Sequence, residues 1–236
     1  MRLSIVLLAP LIALTACATV ERPDPLEGMN RGVFAFNEKA DQYLLKPTAQ
    51  AYVAITPAPV RTGLTNFYAN VSDVWSAANL ALQGRPRDGL SDLTRTALNS
   101  TIGVLGLFDV ATSMGFTRHG EDLGQTLGRW GLGPGAYLVL PILGPSSLRD
   151  VVGLPIDLAA VPQSFVESVA LRNSLTVLGA VNQRASMLGA INLADEISLD
   201  KYLLFREAYL QRRRSLVYDG EPPDIEPSGE PAGEKP

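Results

Sequence analysis

DPLEGMNRGVFAFNEKADQYLLK, residues 24–46, is the stretch from which the fold class is read. Asp24 stands where an N-cap is expected, Pro25 at the first helical position, and Glu27 three residues on closes a capping box. From there Met29, Val33, Phe36, Ala40, Tyr43 and Leu44 recur three or four residues apart, the period of one helical face. The spacing predicts a helix from Pro25 to Lys46, stopped by Pro47. Its apolar stripe is expected to be buried, with Arg31, Glu38 and Asp41 largely off it.

The same period continues toward the C-terminus. Pro57 and Pro59 break the chain, and then Val60, Leu64, Phe67, Val71, Val74, Ala78 and Leu82 predict a second long helix, ending at Gln83-Gly84-Arg85-Pro86. Its other positions are polar but nearly uncharged: Asn66, Asn70, Ser72, Ser76 and Asn79, with Asp73 alone between Arg61 and Arg85. An exposed helix normally carries Lys and Glu, so this face suits a partner or a wet channel, unless it is a solvent face that happens to lack charge. Leu90, Leu93, Ala97, Thr101, Leu105 and Phe108 keep the spacing, although Gly103 and Gly106 weaken or bend any helix there. Residues 155–178 read as helical again. So do residues 198–217, with Tyr202, Phe205, Tyr209 and Leu216 on one side and Arg206 and Arg212 to Arg214 elsewhere. The expected class is all-α.

One segment resists that reading. Between Trp130 and Leu148 no residue is charged, a run long enough to span a bilayer as helix. Gly131, Gly133, Pro134, Gly135, Pro141, Gly144 and Pro145 interrupt it, and irregular backbone is not tolerated against lipid. Two readings remain. It is a buried loop with a short strand or helix in a soluble core, or a re-entrant element partly in the bilayer with its backbone shielded by protein; the chain-wide shortage of charge favours the second.

The chain ends point to an envelope protein. Arg2 and the apolar run from Ile5 to Leu14 form a secretory signal too short to span a bilayer, expected over residues 1–16. It closes on Leu14-Thr15-Ala16-Cys17, which resembles the lipobox of bacterial lipoproteins. Cys17 is the chain's single cysteine, so no internal disulfide can form and acylation is its expected use. Ala18 in place of Asp resembles lipoproteins sorted to the outer membrane. A linker is expected over residues 17–23, a helical domain over 24–218, and a disordered tail over 219–236, which is acidic, proline-rich and nearly free of apolar residues. In between, 46% of residues are hydrophobic and 19% charged, with mean hydropathy +0.12, against about 25% charged in an average globular chain. Part of the surface is therefore expected to meet lipid.

Catalytic and nucleotide readings find little footing. His119 is the lone histidine, which leaves zinc and Ser-His-Asp chemistry without partners, and it is expected on a surface loop. Gly144-Pro145-Ser146-Ser147-Leu148 lacks the second glycine of a nucleophile elbow, and no phosphate-binding glycine motif occurs. Asp109, Glu121, Asp122 and Asp150 offer carboxylate pairs without supporting context. A net charge of −4 with scattered Lys and Arg supplies no nucleic-acid stripe. Neither an enzyme, a cofactor nor a metal is expected.

Several segments together resemble the MlaA (VacJ) lipoproteins. These are Asp24-Pro-Leu-Glu-Gly-Met-Asn-Arg31, Val33-Phe-Ala-Phe-Asn37, Leu45-Lys-Pro47, Pro59-Val-Arg61 and Asn66-Phe67. Asn99-Ser-Thr-Ile-Gly103, Gly106-Leu-Phe-Asp109, residues 121–128, Tyr137-Leu-Val-Leu-Pro141 and residues 144–150 are closer still. Met29 stands where relatives often carry Phe. The resemblance implies a ring-like helical protein in the inner leaflet of the outer membrane of a Gram-negative bacterium, with a central amphipathic channel for phospholipids misplaced in the outer leaflet. It also implies a porin trimer and a periplasmic phospholipid carrier as partners. Channel-lining residues are then expected among Asn66, Asn70, Asp73, Asn99 and Ser100, and a rim or gate at Gly131, Gly133, Pro141 and Gly144.

Overall fold

The computed structural model describes residues 24–223; the signal segment, Cys17 with its linker, and residues 224–236 of the tail lie outside the described residues. Helix α1 (Glu27–Ala40) runs through a π-helical turn, Asp41–Leu45, directly into α2 (Lys46–Ile55). Pro47 therefore does not stop the first helix. A proline ring clashes with the carbonyl four residues back in regular α-helix, and the wider π turn just before it gives that ring room. Long α3 (Ala58–Leu82) and α4 (Pro86–Thr101) follow, then the one-turn α5 (Val110–Ser113) and α6 (Leu123–Arg129).

Residues 130–148 hold short strand, which one of the two readings of this segment allowed, inside a fold that is otherwise helical. Strands β1 (Tyr137–Leu140) and β2 (Gly144–Ser147) pair antiparallel, with Tyr137 opposite Ser147 and Leu140 opposite Gly144. Glycine and proline exclude a helix here, and α1 supplies what an isolated hairpin lacks. Asn30 donates to the Tyr137 carbonyl (2.9 Å) and accepts from the Val139 amide (2.9 Å). One α1 face further on, Asn37 does the same for Leu140 (2.9 Å) and Ile142 (2.8 Å). Tyr137 and Val139 are buried against Tyr202, with Val33, Phe34, Tyr209 and Leu210 packed around them, while Ile142 and Leu143 at the turn are exposed.

The remaining helices are α7 (Leu148–Ala160), α8 (Val169–Ser186), α9 (Leu188–Ile197) and α10 (Lys201–Val217). The single helical stretch expected over residues 155–178 is divided: Pro155 lies inside α7, and the chain breaks between Ala160 and Val169. Contacts between elements close a circuit from α1 to the hairpin, to α10 and α7, to α6, to α3, to α8, to α2 and back to α1. Asp219, expected in the tail, instead holds the ring's rim by ion pairs with Arg85 and Arg129.

The largest departure from expectation is which way the helices face. Met29, Phe36, Tyr43 and Leu44 of the predicted buried stripe are more than half exposed, and the buried residue of α1 is Asn30. The supposedly peripheral charges make the cross-links: Arg31 to Asp200 (2.8 Å), Lys201 to Glu38 (2.7 Å) and Arg184 to Asp41 (2.6 Å). On α3 the near-uncharged polar face is also turned inward, burying Asn70, Asp73, Ser76 and Asn79, whereas Val60, Val74 and Leu82 are exposed. Among the described residues, 18 polar or charged residues are buried against nine hydrophobic ones. An exposed apolar surface of this extent is what monomeric soluble proteins avoid. No helix among the described residues is long and apolar enough to cross a membrane.

Candidate functional site

With apolar groups outside, the joints of the ring are polar. Thr126 on α6 donates to Asn79 on α3 (2.7 Å), Tyr68 on α3 to the Leu175 carbonyl on α8 (2.6 Å), and Tyr52 on α2 to Asn182 on α8 (2.8 Å). Where the hydrophobic effect cannot pull helices together, such bonds and close packing are what hold them.

The densest polar set lies between α3 and α4. Its residues repeat every three or four positions on both helices: Asn70, Asp73 and Ser76 on one, Asp92, Arg95 and Asn99 on the other. Arg95, 1% exposed, is its hub. It donates to the Phe116 carbonyl (2.6 Å) and to Thr112 (3.0 Å), and pairs with Asp109 (3.1 Å) and, more distantly, with Asp73 (3.5 Å). Asp73 also pairs with Arg118 at 2.6 Å. His119 is not the plain surface residue expected: Nδ1 lies 2.8 Å from buried Asp92, which also accepts from Ser76 (2.6 Å).

Four of the five sequence-picked polar residues join this set. Asn70 donates to Ser100 (2.9 Å), and its side-chain oxygen Oδ1 is buried without a partner among the described residues. Asn99 donates to Asp109 (3.1 Å) and accepts from the Ala111 amide (2.9 Å). Half-buried Asn66 lies further along α3 and donates to the Leu107 carbonyl (3.1 Å). That carbonyl belongs to the apolar loop 102–108, in which Ile102, Val104, Leu105 and Phe108 are exposed and Val104 and Leu105 adopt positive φ.

The four glycine and proline picks separate. Pro141 and Gly144 sit at the hairpin turn, Gly144 with φ +83°. Gly131 and Gly133 line a cavity of about 400 Å³ at the hairpin's open end. Leu132, Leu210 and Val217 give that cavity an apolar wall, and Arg149, Arg213 and Arg214 a cationic one. Arg213 grips Asp122 (2.5 and 2.9 Å) and Asp150 (2.9 Å), while Tyr209 donates to the other Asp150 oxygen. Burial opposes the Arg213 charge, but these two carboxylates outweigh it and raise its pKa. A second cavity of about 270 Å³ lies beside Trp75, Arg118 and Asp157.

Arg95, Asp92, Arg149, Arg213 and Asn30 were not among the sequence picks. The signal for the α4 residues was present as a polar stripe at helical spacing. Arg149 and Arg213 carry no periodic signature and meet only through the fold.

A family model described as "MlaA lipoprotein" matches residues 22–216. The chain belongs to the MlaA lipoprotein family. It is 35% identical over 204 residues to the "Intermembrane phospholipid transport system lipoprotein MlaA" of Escherichia coli strain K12, across 85% of this chain and 80% of that protein. The Haemophilus influenzae protein of the same name is 33% identical over 221 residues, across 89% and 88%. A solved structure described as the structural basis for maintenance of bacterial outer membrane lipid asymmetry superposes with TM-score 0.71 at 35% identity, covering 82% of this chain and 98% of that one. The MlaA family fold is thus a mostly helical ring, and the polar clusters above are the features of this chain that brace it.

Those clusters set a pH dependence. Burial pushes the Asp109 carboxyl up, but bonds from Thr112, Asn99 and Arg95 outweigh this and hold it at about 2. A carboxylate depressed in the folded state stabilises the fold above its unfolded pKa, and that contribution is lost as pH falls from about 4 toward about 2. Burial raises Asp73 and Glu121, which act with the opposite sign. In denaturant titrations the stability gap between wild type and Asp109→Asn should be present at pH 6 and close between pH 4 and 2. A gap constant across that range would show that Asp109 is not held in its charged form.

Proposed function

We propose that this chain is an outer-membrane lipoprotein that removes phospholipids misplaced in the outer leaflet and passes them to a periplasmic carrier for return toward the inner membrane. The observation that carries the reading is the inverted burial: Phe36, Tyr43, Leu44, Leu105 and Phe108 outside, Asn30, Asp73, Asp92 and Arg95 inside. Family membership supports the same conclusion. An acylated Cys17 anchors the chain in the periplasmic leaflet, where the apolar belt faces lipid tails and a porin trimer. Each buried methylene of an acyl chain adds about 0.8 kcal/mol, so a multiply acylated cysteine holds the ring to the membrane almost permanently.

The mechanism is a passage rather than a reaction. A phospholipid needs a wet route for its headgroup and an apolar route for its tails, and a ring with a polar inner face and apolar surroundings lowers the cost of moving a charge past hydrocarbon. In this proposal half-buried Asn66 and Ser100 belong to the channel wall, Asn70, Asp73 and Asn99, fully buried between α3 and α4, brace that wall from behind, and Gly131, Gly133, Pro141 and Gly144 belong to its rim or gate. No covalent step is required.

The test is the outer-leaflet phospholipid content of cells lacking the gene, complemented by wild type or by Cys17→Ala. The expected result is accumulation without lysophospholipid, reversed by wild type alone. An unchanged outer leaflet would overturn the proposal in favour of a passive tether, and lysophospholipid products that stop on mutation of Ser146 or His119 would favour an enzyme.

A further inference from the structure

The cavity between α6, the Gly131–Pro134 loop, the start of α7 and α10 contains a guanidinium that the protein pairs at one nitrogen only. Arg149 is 6% exposed. Its Nε donates to Asp150 at 3.0 Å, but Nη1 and Nη2 donate to no acceptor among the described residues. The Nη1 edge stands at the cavity wall, 2.7 Å from where a Cβ on cavity-lining Gly128 would lie. Asp150 is itself shared, because Arg213 and Tyr209 also donate to its oxygens. Around the cavity three guanidinium groups, Arg149, Arg213 and Arg214, face two carboxylates, Asp122 and Asp150. With Nε paired and Nη1 and Nη2 opening on a largely apolar cavity, the second edge of the guanidinium is free to take an anion from outside.

We propose that Arg149 is the headgroup anchor of this cavity, binding the phosphodiester of a phospholipid through Nη1 and Nη2 while the lipid's apolar part lies along Leu132, Leu210 and Val217. The proposal rests on the transport reading above and names where the ring holds its cargo. A guanidinium fork matches two phosphate oxygens, and a phosphodiester keeps one negative charge whatever alcohol it carries. The site would therefore recognise phospholipids as a class, not one headgroup. A volume of about 400 Å³ is within the ordinary range of ligand sites and holds a headgroup with its glycerol, leaving the tails to continue outward.

The same anion chemistry could come from free phosphate, and the test separates the two sources. The full chain, purified in detergent, is titrated calorimetrically with dihexanoyl phosphatidylethanolamine, with dihexanoylglycerol and with inorganic phosphate. The phospholipid should bind and the other two should not. Arg149→Gln should weaken that binding on the order of tenfold to a hundredfold, and Arg149→Lys should restore part of it. Gly133→Leu, at a position where an added Cβ meets nothing within 4 Å, should block binding by filling the cavity with Arg149 intact. The proposal is overturned if Arg149→Gln, melting as wild type does, binds the phospholipid equally, or if inorganic phosphate or the diacylglycerol binds as tightly. Should Arg149→Gln not fold, unchanged binding by Gly133→Leu overturns it. The outer-leaflet phenotype of gene loss is read separately: if it persists when the binding test fails, only the headgroup site is lost and the transport reading stands.

Discussion

Arg95→Ala lowers the unfolding free energy by about 3–5 kcal/mol, the range found when one partner of a buried ion pair is removed. The side chain is 2% exposed and joins α4 to α3, to the cap of α5 and to the loop before α6. Truncation leaves the Phe116 carbonyl without its donor and the buried Asp73 carboxylate with Arg118 alone. Arg95→Lys recovers little of this, because an ammonium cannot reproduce the fork that meets Asp109, Thr112 and Phe116 together. For a chain of this size each kcal/mol shifts the melting midpoint by roughly 2–4 °C, so the alanine variant in detergent should melt about 10 °C lower. A shift of only about 2 °C would mean that the guanidinium is already solvated.

Asn30→Ala costs about 2–3 kcal/mol and acts locally. One fully buried amide closes a pair of bonds with the hairpin backbone and a third with Asp24 (3.1 Å), which itself accepts from Tyr202. Removing it strands a buried carbonyl and a buried amide, at about 1–3 kcal/mol for each group left unmade, partly relieved if the hairpin shifts to reach water. Hydrogen exchange should therefore quicken at Tyr137, Leu138 and Val139 while the α3 and α4 amides keep their protection. Uniform quickening across the ring would show that the hairpin is not an independent unit held by α1. Asn37, half-buried and nearer the turn, should give a smaller loss in the same place.

Much of the fold is legible in the residues. Helical period marked α1, α3 and α10, and the glycine and proline density of residues 130–148 ruled out a spanning helix. Pro47 was misread because the rule that proline ends a helix assumes α geometry, and a π turn sets that geometry aside. Asp24 accepts from the Leu26 amide (3.1 Å), as an N-cap does, and its oxygens also accept from Asn30 and Tyr202, so the local signal gained a tertiary use that the sequence does not show. The cavity was half legible: Gly131 and Gly133 stood out by composition, whereas Arg149 and Arg213 are 64 positions apart and come together only when α10 packs against the start of α7.

The sequence by itself determined that Phe36, Tyr43 and Leu44 share one face of a helix, that Asn70, Asp73 and Ser76 share another, and that charge is scarce throughout. Periodicity says which residues lie on a face together, but it carries no sign for whether that face turns in or out. Only the tertiary structure decided it, because the sign depends on what surrounds the protein. In water apolar faces gather at the centre, whereas beside hydrocarbon, the setting proposed above, they have nothing to gain from one another, and the buried positions go to the groups that can satisfy each other: Arg95 with Asp109, Thr126 with Asn79, and Asn30 with the backbone of the hairpin.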